Sequence, residues 1–201
     1  YHGVIGGDYQ RINNRHMSSL QFEADLKFFQ KHFNVVSLSE IFSNPEPMGS
    51  SAVPKVAITF HDGFENNPEF ALPILLKYNM PATIFVLSAS IDNSEFVNWA
   101  DLLDVLASVS QDDFIDFMDV KFVKRGSGFI SEGNPDLTLS EFIKNQGSER
   151  LEPLEKLAKS IIDDRQVLSR FRWHFKLMNV SQIQECARTG LIEIASHTRN
   201  H

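Results

Sequence analysis

The sequence predicts an α/β fold built on parallel strands. Two apolar segments, 55–60 and 81–88, have the composition of buried strands, and a helix is expected between them over about 73–78. Strands joined by such a crossover helix run parallel, with a right-handed connection. A third strand is predicted over 191–196, after a helix that ends at Gly190.

The first part of the chain supplies a helix and a short strand. Ser18 and Gln21 have the spacing of a capping box, which predicts a helix over about 19–32. A strand is expected near 34–38. The segment 43–54 is rich in proline, glycine and serine, so it is predicted to be a loop.

Local signals also define the ends of two core helices. Pro73 would break a long helix, so the main helix between the strands 55–60 and 81–88 is expected to begin there and to end at Asn79 in a left-handed cap. Asn66 and Asn67 precede that helix and are predicted to cap it. Ser181 is predicted to cap the helix that leads to Gly190.

The stretch 92–176 is less regular and is predicted to be an insertion in a single domain spanning 1–201. It contains a predicted helix over 98–109 and a predicted edge hairpin over 116–129. Two short helices are expected after the hairpin, over 139–146 and 152–164. A basic cluster follows them and is predicted to be solvated surface; it consists of Arg170, Arg172, His174 and Lys176.

Composition excludes several classes of protein. The 42% apolar content is typical of a soluble globular protein, and no apolar run approaches the roughly 20 residues of a transmembrane helix. A net charge of −7 argues against a nucleic-acid partner. The single Cys186 excludes an internal disulfide. Oligomeric state is not indicated.

The ends of the chain predict a fragment. The sequence starts at Tyr1 without a methionine or a signal peptide, and it stops at His201 inside a candidate site. We therefore expect further strands to follow in a longer protein. Location in the cell cannot be inferred from these residues.

Two of the predicted strands end in polar groups that suit a metal ion. His61 and Asp62 follow the first strand, and His197 and His201 follow the third. Ligands bind at the carboxyl ends of parallel strands, and imidazole nitrogen and carboxylate oxygen are good zinc ligands. The alternative is that Asp62 forms an Asx-turn and both histidines are ordinary loop residues.

These segments resemble the polysaccharide deacetylases, the NodB-homology group or carbohydrate esterase family 4. The resemblance lies in VAITFHDGFENNPEFALPILLKYNMPATIFV and GLIEIASHTRNH, with YHGV and the following helix region also similar; it leaves the middle of the chain unmatched. It implies a distorted barrel of about seven parallel strands, here partial. It also implies metal-dependent hydrolysis of acetyl groups, mainly N-acetyl, on a carbohydrate or polysaccharide, and an extracellular or cell-envelope location.

The resemblance also implies roles for particular residues. Asp62, His197 and His201 would hold a divalent metal, commonly zinc, and Thr198 would support their loop. The family places an aspartate base where this chain has His61. Three roles for His61 are compatible with this change: a working base, an inactivating replacement, or a further metal ligand.

A second hypothesis is therefore a catalytically silent domain that binds metal and carbohydrate. A third is that the resemblance marks the fold alone. The arginine, tryptophan and histidine of the family's later motifs are not located in the sequence. His2 is placed near the site by the resemblance, either in contact with ligand or substrate or in a structural role.

Overall fold

Two compact units make up the chain in the computed structural model. The structure describes residues 1–7, 9, 12–45, 53–93 and 96–199. The first unit comprises Tyr1–Phe96 with Lys176–His201, and the second comprises Val97–Phe175. The second unit lies within the bounds predicted for the insertion, while the interpretation of the whole as one interrupted domain stays a prediction.

The first unit alternates short strands with helices. Its strands are β1 (Gly3–Ile5), β2 (His16–Ser18), β3 (Asn34–Val35), β4 (Lys55–Val56), β5 (Ile58–Phe60), β6 (Ala82–Val86) and β11 (Ile192–Ser196). Its helices are α1 (Ser19–His32), α2 (Leu38–Ser43), a π-helix (Asn67–Ala71), α3 (Leu72–Tyr78), α4 (Ala89–Asp92) and α9 (Val180–Arg188).

The central sheet has three parallel strands in the order β11, β6, β5. The three predicted core strands are thus confirmed, as is the parallel crossover between β5 and β6. β1 pairs with β2 and β3 pairs with β4, each pair again parallel. Among the described residues these sheets remain separate and do not close into a barrel, so a mixed α/β fold with parallel sheets is confirmed and the seven-stranded barrel stays a prediction.

One face of the central sheet packs against the helices of this unit. Alternate residues of a strand point to one face, and that face of β5, β6 and β11 is apolar. Phe22 and Leu26 of α1, Leu75 of α3 and Cys186 of α9 are buried in the same core. The strands are thereby fixed in register, and their carboxyl ends lie at one edge.

Two of the predicted helix ends are confirmed and one is wrong. Ser18 caps α1 as expected, and Asn79 ends α3 in the left-handed region with φ 51°. The cap of α9 was predicted wrongly: Asn179 accepts from the N–H of Gln182 and forms a capping box there, not Ser181. A capping box two residues earlier satisfies more backbone donors than a lone serine does.

The second unit combines an antiparallel sheet with helices. Its strands run in the order β10 (Asn134–Thr138), β9 (Gly128–Ser131), β8 (Val120–Arg125) and β7 (Phe114–Phe117). Its α-helices are α5 (Trp99–Val109), α6 (Leu139–Asn145), α7 (Leu151–Ile162) and α8 (Arg165–Phe175). The predicted hairpin is therefore part of a four-stranded sheet. No helix among the residues described in either unit is long and apolar enough to cross a membrane.

The prediction that the basic cluster is solvated surface was wrong for one of its members. Its histidine, His174, is fully buried at the end of α8. Val167, Phe171 and Phe175 of α8 are buried as well, at the spacing of one helix face. His174 therefore belongs to the packed side of this helix.

Candidate active site

The two polar strand ends come together at one edge of the central sheet. His61 directly follows β5, and His197 directly follows β11, on either side of β6. The N–H of His197 donates to the carbonyl of Val86 at 2.8 Å, which extends the pairing of β11 with β6 by one residue. His61 and His197 therefore lie at the same edge of the sheet, as expected for residues at the carboxyl ends of parallel strands.

A tight turn then buries Asp62 beneath the sheet edge. Asp62 has φ 68° and Gly63 has φ 74°, both in the left-handed region, and the N–H of Gly63 donates to the carbonyl of His61 at 2.9 Å. Aspartate tolerates this backbone better than most residues. Asp62 is only 2% exposed, so the turn holds it inside the protein.

Gly63 is required both by its backbone and by its neighbour. A Cβ at this position would lie 2.9 Å from Cγ1 of Val86, whereas a Cβ at Gly190, with φ 69°, would meet nothing within 4 Å. We expect Gly63→Ala to lower the free energy of unfolding by about 2–3 kcal/mol and Gly190→Ala by about 1 kcal/mol. Urea denaturation measures both values. Equal losses would mean that Val86 leaves room for the extra methyl group.

The side chains of the two strand ends are close enough to act together. Nδ1 of His61 lies 3.4 Å from Nε2 of His197, and Nε2 of His197 lies 3.5 Å from Oδ1 of Asp62. The two imidazole rings are nearly perpendicular, with centroids 5.0 Å apart. The ring centroid of Phe85 on β6 lies 5.9 Å from that of His61 and 6.3 Å from that of His197. Two imidazoles and one carboxylate therefore lie close together beside an aromatic ring.

His2 brings a third imidazole to the same place. Its ring centroid lies 5.2 Å from that of His61, with the planes tilted by 32°. Burial lowers the pKa of His2, and the nearby carboxylate of Asp62 opposes that change. The sequence left the role of His2 open, and the structure places it against His61.

The loop after Gly63 is tied to the segment that precedes α9. The N–H of Met178 donates to the carbonyl of Gly63 at 2.9 Å, and the N–H of Glu65 donates to the carbonyl of Lys176 at 2.8 Å. Between them, the ring of Phe64 is fully buried and lies 4.7 Å from the ring of His16. These bonds hold the loop that carries His61 and Asp62.

The predicted caps at Asn66 and Asn67 were wrong. Neither side chain caps the π-helix or α3. The carboxamide of Asn67 donates to the carbonyl of His2 at 3.1 Å, and the carboxamide of Asn66 accepts from the N–H of Val4 at 3.3 Å. These residues were missed as parts of the site because their partners lie about 65 positions earlier in the chain.

The loop after His197 is anchored by its backbone. Thr198 has φ 62°, an uncommon conformation for a β-branched residue, and its carbonyl accepts from the N–H of Ser88 at 3.1 Å. The carbonyl of Arg199 accepts from the N–H of Ala89 at 3.1 Å. The supporting role of the Thr198 side chain stays a prediction.

Part of the predicted metal-ligand set can be placed. The carboxylate of Asp62 and Nε2 of His197 converge, and an oxygen and an imidazole nitrogen suit zinc. His201 lies outside the residues that the structure describes. Within the described part of the chain no group of three such side chains meets the geometry of a metal centre, so the full set of Asp62, His197 and His201 stays a prediction.

Comparison with known proteins finds a family similarity over part of the chain. The polysaccharide deacetylase family model matches residues 49–115, which contain His61, Asp62 and the following helices. Over these residues the chain is similar to the polysaccharide deacetylases, and the predicted resemblance to that family is thereby confirmed.

Two curated polysaccharide deacetylase relatives illustrate the extent of the match. YxkH of Bacillus subtilis is 30% identical over 92 residues, which cover 45% of this chain. The poly-beta-1,6-N-acetyl-D-glucosamine N-deacetylase of Staphylococcus aureus is 32% identical over 89 residues, which cover 44% of this chain. In both cases the match spans 31% of the relative's own length.

A match to one solved structure covers more of the chain at lower identity. The de-N-acetylase of Aggregatibacter actinomycetemcomitans is 19% identical, with a TM-score of 0.47. It covers 98% of this chain, which corresponds to 52% of that protein.

Proposed function

We propose that the protein is a metal-dependent hydrolase that removes acetyl groups, mainly N-acetyl groups, from a carbohydrate polymer. One observation carries the proposal: His61, Asp62 and His197 converge at the carboxyl ends of parallel strands. The matched relatives that are named as deacetylases support it. We further propose that the complete fold is a distorted barrel of parallel strands and that the protein acts outside the cytoplasm or in the cell envelope.

Three side chains would hold the metal ion, which we propose to be zinc. Asp62 supplies a carboxylate oxygen and His197 supplies Nε2, and these atoms lie 3.5 Å apart. His201 would supply the third ligand. When bound, the ion polarises the acetyl carbonyl and lowers the pKa of a water molecule.

The imidazoles would handle the protons of amide hydrolysis. Nδ1 of His61 lies 3.4 Å from Nε2 of His197, and His61 would accept a proton from the attacking water. The C–N bond of the amide then breaks, and the leaving nitrogen must gain a proton. His2 lies beside His61, with ring centroids 5.2 Å apart, and would deliver that proton.

Acetate release tests the proposal directly. We expect the protein at its natural full length to release acetate from an oligomer of β-1,6-linked N-acetylglucosamine with added zinc. Removing zinc with a chelator should lower the rate at least about tenfold, and adding zinc back should restore it. A fully de-acetylated oligomer is the control. A protein that retains zinc but releases no acetate from N-acetylated or O-acetylated oligomers would be a silent binding domain instead.

A further inference from the structure

Two buried carboxamides join the motif loop to the segment that carries His2. Asn66 is fully buried and Asn67 is 1% exposed. Asn67 Nδ2 donates to the carbonyl of His2, and Asn66 Oδ1 accepts from the N–H of Val4. The two adjacent side chains thus hold the backbone on both sides of Gly3.

The close approach of these groups depends on Gly3. A Cβ at Gly3 would lie 2.4 Å from Cδ2 of His16 and 2.5 Å from Nδ2 of Asn66. Both distances are shorter than van der Waals contact allows. The absence of a side chain at Gly3 therefore lets the segment reach the carboxamides.

The opposite side of the same segment is bound to the central sheet. The N–H of His61 donates to the carbonyl of Tyr1 at 3.0 Å, and the nitrogen of Tyr1 donates to the carbonyl of Thr59 at 2.9 Å. His2 follows immediately and receives the bond from Asn67. The backbone of His2 is therefore fixed between β5 and the start of the π-helix, with its ring beside His61.

The helix that begins at Asn67 has an unusual form. Residues Asn67–Ala71 make a π-helix, and the N–H of Leu72 donates to the carbonyl of Asn67 five residues earlier. Single π-helical turns are found frequently at functional sites. The Asn67 side chain caps no helix, and its Nδ2 donates to the carbonyl of His2.

We infer that Asn67 is a positioning residue: its carboxamide sets the backbone of His2 and so holds the His2 imidazole beside that of His61. The structural part of this inference is independent of the reaction, and its kinetic consequence rests on the proposed deacetylase function. One short loop would then carry His61 and Asp62 at its start and the support of His2 at its end.

Exchange of the donor alone tests the inference. Asn67→Asp keeps the shape of the side chain but turns an oxygen toward the carbonyl of His2, which repels it. Nuclear Overhauser contacts between the ring protons of His2 and His61, seen in the parent protein with labelled histidine, should be lost in the variant. We expect kcat for acetate release to fall about 10- to 100-fold while KM stays within about twofold.

Asn98→Asp is the matched control. Asn98 is also a buried asparagine, but its Oδ1 accepts from the N–H of Ala100, a bond that aspartate keeps. This variant should retain the His2–His61 contacts and the kinetic constants. If Asn67→Asp does not fold, Gly3→Ala displaces the same segment by another route, with Gly7→Ala as its control because a Cβ there meets nothing within 4 Å.

The outcomes separate this inference from the proposed function. A folded Asn67→Asp protein that keeps the ring contacts would overturn the positioning role. Lost contacts with an unchanged kcat would overturn its kinetic consequence. Lost contacts in a protein whose parent form releases no acetate would support the positioning role and reject the deacetylase function alone.

Discussion

Exchanging Asp62 for asparagine is expected to lower zinc retention and acetate release together, each by more than about 100-fold. Asparagine has the same shape and tolerates the left-handed backbone at φ 68°, so the fold should be kept. What disappears is the negative charge 3.5 Å from Nε2 of His197. Zinc per chain after dialysis and the initial rate of acetate release measure the two effects.

An exposed aspartate provides the control for this exchange. Asp116 lies on β7 in the second unit, and Asp116→Asn should leave zinc content and rate unchanged. An Asp62→Asn protein that kept full zinc content and full rate would remove Asp62 from the metal site. Retained zinc with a lost rate would instead give Asp62 a role in the reaction and not in binding the ion.

Removing the imidazole of His61 is expected to lower acetate release about 10²- to 10⁴-fold with zinc content unchanged. The reason is that we propose His61 as the acceptor of the proton of water, while Asp62 and His197, the proposed ligands of the ion, remain close together. The comparison of His61→Ala with the unchanged protein gives the size of the effect. His32→Ala, an exposed histidine at the end of α1, is the control.

His61→Ala and a companion variant, His61→Asp, together decide among the three roles that the sequence left open. If His61 is the base, the unchanged protein is active and His61→Ala is not. If the unchanged protein is silent and aspartate restores activity, His61 is an inactivating replacement. If His61→Ala loses zinc as well as activity, His61 is a metal ligand.

The proximity of the two motifs could be predicted because it depends only on where the strands end and on their parallel pairing. Strand composition placed His61 and His197 immediately after strands, and parallel pairing puts such ends at one edge. No long-range detail is needed for that step. The distance of 3.4 Å between Nδ1 of His61 and Nε2 of His197, by contrast, could not be predicted, because it depends on the backbone of the turn at Asp62 and on packing beside Phe85.

The support of His2 could not be predicted, because its signals are ambiguous in sequence. Asn66-Asn67-Pro68 is a reasonable start for a helix, and asparagine favours capping positions. Tertiary contacts with His2 and Val4 redirect both carboxamides. A short polar side chain can bond either to nearby or to distant backbone groups, and the distant group is available only after the chain has folded.

Two features of the second unit were not predicted. Strand β10 contains Pro135 and lies at the edge of its sheet, where proline is tolerated. In α8, His174 shares the apolar face of the helix with Val167, Phe171 and Phe175, although it belongs to a basic cluster in sequence. A charged cluster on an amphipathic helix describes one face and says little about the other.

Because Cys186 is buried, its reaction with thiol reagents can report local unfolding of α9. Its thiol is the only one in the chain, it is fully buried in α9, and burial raises its pKa to about 11. A thiol in that state reacts with alkylating reagents only while α9 is lifted from the sheet. The rate of alkylation therefore measures, without any engineered probe, how often α9 separates from β11, the strand that precedes His197.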